Sequence, residues 1–133
     1  MINKSKKILS EISAGELLDK ISILEIKLDK IKNKNSREKI NKEYKILIKV
    51  RDSNIDITEK IKQLIKDIKR VNLNLWDIED KLRICEKNKD FGTAFVELAR
   101  NVYFNNDKRA KIKSEINEVL DSDIREVKQY ADY

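Results

Sequence analysis

Acid–base work in this chain falls to Asp, Glu, Lys or Tyr, and such residues recur at helical spacing, with arginines and a single indole among them. LWDIEDKLR (75–83) sets Trp76 beside Glu79, Asp80 and Arg83, at intervals of three, four and seven residues that share one helix stripe. Glu16, Asp19, Lys20 and Lys27 form a comparable polar edge near the start of the chain. Arg100, Tyr103, Asn106, Asp107 and Arg109 follow later. Brought together, these edges would line a pocket with an indole floor, suited to a sugar, a small anion or, through carboxylates, Mg²⁺. Kept apart, they pair off as helix-surface ion pairs: Glu16 with Lys20, Glu79 with Arg83, and Glu97 with Arg100.

Other chemistry is excluded by residue type. The chain has no histidine, which removes Ser-His-Asp and Cys-His nucleophiles, His-ligated zinc and the usual neutral-pH proton shuttle. No GxxxxGK[ST] or GxGxxG phosphate loop occurs. The one cysteine, Cys85, falls on an apolar seam as a small buried, inert residue; its solitude fits a reducing cytoplasm. Gly15 and Gly92 fall in first turns, where close backbone packing is favoured over phosphate binding, because Glu16 and Asp90 put carboxylates there. ELLD (16–19) and EINE (115–118) lie too far apart for the paired ExxE/D motifs of helical pyrophosphohydrolases. No cofactor and no metal centre is assigned, and the balance leans away from an enzyme.

The positioning elements are helices. With no proline, two glycines and 41% charged residues, the 133-residue chain reads as one all-α domain (1–133). SAGE opens the first helix with a capping box at Ser13 and Glu16, and Leu17, Ile21, Leu24, Leu28 and Ile31 supply its heptad seam. A second helix is expected over 37–51. DSNID breaks it, and DITE caps a third helix at Asp56. There Ile57, Ile61, Leu64, Ile68, Val71, Leu75, Ile78, Leu82 and Cys85 alternate by four and three without a miss. Asp90 is read as the cap of a fourth helix (91–104) and NND (105–107) as the cap of a fifth (107–120). The expected architecture is an antiparallel, coiled-coil-like bundle. One long central helix (57–87) carries a hairpin of the first two (13–32 and 37–51), and two shorter helices follow. The tail docks through Ile124, Val127 and Tyr130 or frays.

Charge and hydropathy bound the partners. Residues 1–70 carry +8 and residues 71–133 carry −2. Lysine, isoleucine and asparagine, which share AT-rich codons, dominate the basic half, so nucleic-acid binding is not the favoured reading. No secretory signal or membrane-spanning run is visible, and no membrane insertion is expected. The spare apolar edges point to a protein partner or a homodimer.

EISAGELLDKISILEIKL (11–28), the stretch from VNLNLWDIED to SEIN (71–117) and EVKQY (126–130) resemble one bacterial family of short helical proteins carrying a domain of unknown function. SAGEL, LWDIED, FVELAR and YxxND occur in the family's order. Residues 32–56 depart from it, with DSNID where the family often has a proline-containing turn. Some members lie near, or are fused to, glycosyltransferases of surface-polysaccharide pathways. The resemblance implies a set of positions to watch: Glu16, Asp19, Lys20, Lys27, Trp76, Glu79, Asp80, Arg83, Arg100, Tyr103, Asn106, Asp107 and Arg109. The reading that follows is a non-enzymatic helical interaction or accessory module. Its alternative is a small-ligand or enzymatic site for a sugar phosphate, nucleotide sugar or Mg-bound anion around Trp76.

Overall fold

The computed structural model describes residues 4–133, and those residues form four α-helices and no strand. α1 spans Ala14–Lys30, α2 Lys34–Asn54, α3 Glu59–Lys87 and α4 Thr93–Val119. Ser13 caps α1 as expected, its Oγ accepting from the Glu16 N–H at 3.1 Å. The return half of the capping box is missing, because the Glu16 carboxylate turns to Lys113 instead.

The helix boundaries differ from the sequence expectation, each for a local reason. α2 starts at Lys34 because Asn33 supplies the cap, accepting from the Ser36 N–H at 2.9 Å. It continues through Asp52–Ser53–Asn54, where no proline or glycine forces a break and the Asn54 amide donates to the Val50 carbonyl. The α3 cap is Thr58, not Asp56. Asp90 does not cap a helix; it accepts from the Gly92 N–H, and Gly92 is the first residue before α4.

The largest correction is at 105–107. The fourth and fifth expected helices are one, and Asn105, Asn106 and Asp107 lie in its interior. Asn and Asp cost only about 0.7 kcal/mol each relative to alanine in a helix. That is little against the apolar stripe that stays in phase from Phe95, Leu98 and Val102 to Ile112 and Ile116.

The packing also has a different centre. α1, the shortest helix, touches all three others, whereas α2 packs on α1 alone among the helices. α1 can do this because Leu17, Leu18, Ile21, Leu24 and Ile26 are buried around more than one face. Leu17, Leu18 and Ile21 join Ile61 and Leu64 of α3 and Ile116 of α4 in the core. α3 and α4 are nearly equal in length and share the largest helix–helix contact. Lys60 near the start of α3 pairs with Glu115 near the end of α4 at 2.8 Å, so they run in opposite directions.

α3 and α4 end alike, in Schellman motifs. Lys89 and Asp121 adopt φ of 55° and 50°, and the N–H groups of Asp90 and Ser122 reach back to the carbonyls of Cys85 and Asn117. Beyond α4 the tail lies along the helix through polar links, not through the apolar residues expected. Arg125 bonds Glu118 and Asp121, Glu126 meets Lys113, and the Tyr133 hydroxyl donates to Asp107. Ile124, Val127 and Tyr130 stay exposed.

Candidate functional site

Where α1, α3 and α4 meet, a buried polar network sits under an open cleft. Asp19 is 1% exposed, and its burial is matched by bonds on both oxygens. Oδ1 accepts from Asn72 Nδ2 and from Arg109 Nε, each at 2.9 Å, while Oδ2 accepts from the other arm of the Arg109 fork. Asn72 Nδ2 also reaches the Ser22 hydroxyl at 2.7 Å. One α1 turn earlier, Lys113 bonds Glu16 at 2.7 Å and lies 3.9 Å from Asp19. Two carboxylates thus face two cations across the α1–α4 contact, with Asn72 of α3 as the third corner.

This register depends on Gly15. Its N–H donates to Asn117 Oδ1 at 2.6 Å, and a Cβ there would fall 2.5 Å from the Lys113 carbonyl oxygen. The close packing expected of Gly15 is therefore observed and lets α1 settle against the Lys113–Asn117 turn. Gly92 has no such neighbour; its Cβ would meet only Asp90 Oδ1, at 3.4 Å.

The network fixes protonation. The hydrogen bond to Asp19 raises the Arg109 pKa, against the opposing cost of burial. Burial alone would lower Lys113, but the Glu16 hydrogen bond and the Asp19 and Glu16 charges outweigh it and leave the pKa raised. Both cations are held charged.

Above the network lies a cleft of about 540 Å³. Ile23 and Ile26 of α1 form one apolar wall, and Leu75 and Trp76 of α3 the other. Asn72, Glu79, Asp80 and Arg83 of α3, with Asn106 and Arg109 of α4, supply the polar rim and floor. Arg83 is paired with Glu79 on the α3 surface, and Arg109 with Asp19 below; Asp80, Asn106 and the indole stand outside both pairs. Trp76 shares this cavity with residues of α1 and α4.

The candidate side chains divide in space, and Lys27, in the last turn of α1, lines neither the cleft nor the hollow against the tail. Trp76, Glu79, Asp80, Arg83, Asn106 and Arg109 line the cleft, and Asp19 and Glu16 support it from beneath. Lys20 turns away, pairing with Glu43 of α2 at 3.8 Å and not with Glu16. Arg100 pairs with Glu97 and lies over the Phe104 ring. Tyr103 and Asp107 border a second hollow of about 570 Å³ against the tail, where Tyr133 meets the Tyr103 and Phe104 rings edge-on. Asn106 belongs to both hollows. Cys85 is half-buried, not buried as its seam position implied.

Sequence reasoning missed Asn72, Ser22 and Lys113. Each carried a signal: Asn72 lies four residues before Trp76, Ser22 three after Asp19, and Lys113 four after Arg109, all one turn along the same stripe. ELLD and EINE pack side by side, Leu17 and Leu18 against Ile116, but their carboxylates do not form one cluster, since Glu115 and Glu118 turn to Lys60 and Arg125. Among the described residues no cluster of three or more acidic or cysteine side chains could hold a metal ion. No helix there is long and apolar enough to cross a membrane.

A family model, that of the family of unknown function DUF6165, matches residues 8–132, and the chain belongs to that family. No curated protein and no solved structure matches it.

Proposed function

We propose that the chain is a small-ligand-binding module, a single helical domain whose ligand sits in the α1–α3–α4 cleft. The observation that carries this reading is convergence. Trp76 and the polar groups of Asn106 and Arg109, 30 and 33 positions further on, line one cavity of about 540 Å³ on a floor already satisfied by Asp19 and Asn72. A cavity of a few hundred cubic ångströms, with an apolar wall and a few convergent polar groups, has the dimensions of a ligand site.

The lining favours a hydroxylated ring. An indole face accepts the apolar side of such a ring, and planar carboxylate, amide and guanidinium groups meet its hydroxyls. Arg83, whose pair with Glu79 is exposed, can exchange that partner for a phosphate at little cost. A sugar, sugar phosphate or nucleotide sugar is the ligand class. The surface-polysaccharide setting implied by the family resemblance belongs to this proposal, as does an accessory, non-enzymatic role in a bacterial cytoplasm.

Calorimetric titration of the purified chain with neutral sugars, their phosphates and nucleotide sugars tests it. Saturable one-to-one heat from any of these classes supports the reading. If none gives saturable heat at millimolar concentration, the cleft is not a sugar site.

A further inference from the structure

The cleft does not end at its own rim. Asn106 lines it and lines the second hollow as well, so the two cavities, of about 540 and 570 Å³, adjoin along one face of α4. Tyr103, Asn106 and Arg109 follow one another at three-residue intervals, which sets their side chains in a row. That row runs about 9 Å along the helix axis, from an aromatic hollow, past an amide, to the guanidinium above Asp19.

The two hollows differ in chemistry. The cleft has one indole among carboxylate, amide and guanidinium groups. The second hollow is walled by three phenol rings, those of Tyr103, Tyr130 and Tyr133. Tyr133 is pinned there by its bond to Asp107 and by edge contacts with Tyr103 and Phe104, whereas Tyr130 is 72% exposed. Aromatic faces of this kind take a nucleobase, because every base has a π-face and stacking needs no fixed hydrogen-bond pattern. Asp107, in the same hollow, is an acceptor for a base N–H.

Between the hollows the unspent polar groups are donors. Arg109 commits Nε and Nη2 to Asp19, which leaves Nη1 without a partner among the described residues. The Asn106 side-chain amide bonds no other described residue, unlike its neighbours Asn105 and Asp107. Lys128, on the rim of the aromatic hollow, has Glu126 at 3.7 Å and keeps a 38% exposed side chain. A guanidinium N–H, an amide N–H and an ammonium suit a bridging diphosphate, since charge-assisted bonds to phosphate oxygens are the strong kind.

Resting on the sugar reading of the cleft, we infer that the ligand is a nucleoside diphosphate sugar that spans both hollows. Its base stacks among the tyrosines, its diphosphate crosses Asn106, Arg109 Nη1 and Lys128, and its sugar lies against Trp76. A free sugar or a sugar phosphate fills one hollow and leaves the other to water. The tail is then part of the site, because Lys128, Tyr130 and Tyr133 come from it.

Calorimetric titration of the full chain separates these cases. The compounds are uridine diphosphate glucose, adenosine diphosphate glucose and guanosine diphosphate mannose, each beside its nucleoside diphosphate and its sugar phosphate. At least one nucleotide sugar should bind about tenfold more tightly than either of its halves, or better. Tyr130→Ala, at an exposed tail position outside the helices, should weaken it roughly tenfold, as loss of one stacking face requires, and leave sugar phosphate binding unchanged. Tyr103→Ala, with an unchanged helical circular-dichroism signal, should do the same. A nucleotide sugar that binds no tighter than its sugar phosphate, or that ignores both substitutions, overturns the inference and leaves the cleft its sugar. One that binds no tighter than its nucleoside diphosphate overturns the inference together with the sugar reading, and so does the absence of saturable heat from every compound.

Discussion

At the residue scale, Asp19 is the pivot of the structure. A carboxylate removed from water is tolerated because Arg109, Asn72 and Lys113 surround it. Asp19→Ala should therefore cost about 3 kcal/mol in chemical denaturation, the low end of the range for breaking a buried pair, because the Arg109 side chain keeps 29% exposure. A loss under about 1 kcal/mol would show the network to be ornamental. Lys113 supplies a pH signature. Its folded-state pKa is raised above 10.5, so its contribution is fully present below that value and is lost as pH climbs through the folded-state pKa. Melting temperature should hold from neutral pH to about 9.5 and fall above 10.5, with a shallower fall in Lys113→Met than in wild type. An identical alkaline slope in the variant would remove Lys113 from the account. Asp19 shows what spacing reveals and conceals. Its helical face could be read from the residues around it, but its partners lie 53 and 90 residues away, where periodicity has no reach.

At the element scale, the helices were legible where apolar periodicity was long and misplaced where short polar runs were taken as punctuation. The α3 seam located that helix to within two residues at its start and ended it at Lys87 as expected, because nine in-phase positions outweigh any local preference. NND in α4 and DSN in α2 read as breaks, yet in each case the helix runs through. Polar residues signal a cap only where the apolar stripe also stops. The hub role of α1 was half visible, in its second apolar edge, but length drew attention to α3 instead. The ends of α3 and α4 invite a direct test. Lys89 holds φ of 55° in a Schellman motif, a position where a side chain costs about 1 kcal/mol that glycine avoids. Lys89→Gly should stabilise the fold by about 0.5 kcal/mol once the added freedom of the unfolded chain is subtracted, seen as a raised denaturation midpoint. A lowered midpoint would mean that the Lys89 side chain contributes something other than a turn.

At the scale of the whole molecule, a compact three-helix junction of α1 with the inner halves of α3 and α4 carries the core and the polar network, and two less covered parts extend from it. α2 has no fully buried residue and rests on α1, with Tyr44 bonded to Glu25. The outer arm of α3 and α4 extends on the far side of the cleft. The cleft thus lies at the boundary between a well-packed body and a sparsely packed arm, where small movements of α3 and α4 are least opposed. Trp76 is the sole tryptophan, and it lines that boundary. Its emission, titrated with the sugar, sugar-phosphate and nucleotide-sugar series, is the most direct measure of whether the cleft binds. The account predicts a saturable change in intensity or wavelength for at least one class, weakened about fivefold to tenfold by Asn106→Ala, as loss of one hydrogen bond requires. Saturable binding that leaves Trp76 emission unmoved, and is indifferent to Asn106→Ala, would place the ligand elsewhere and contradict it.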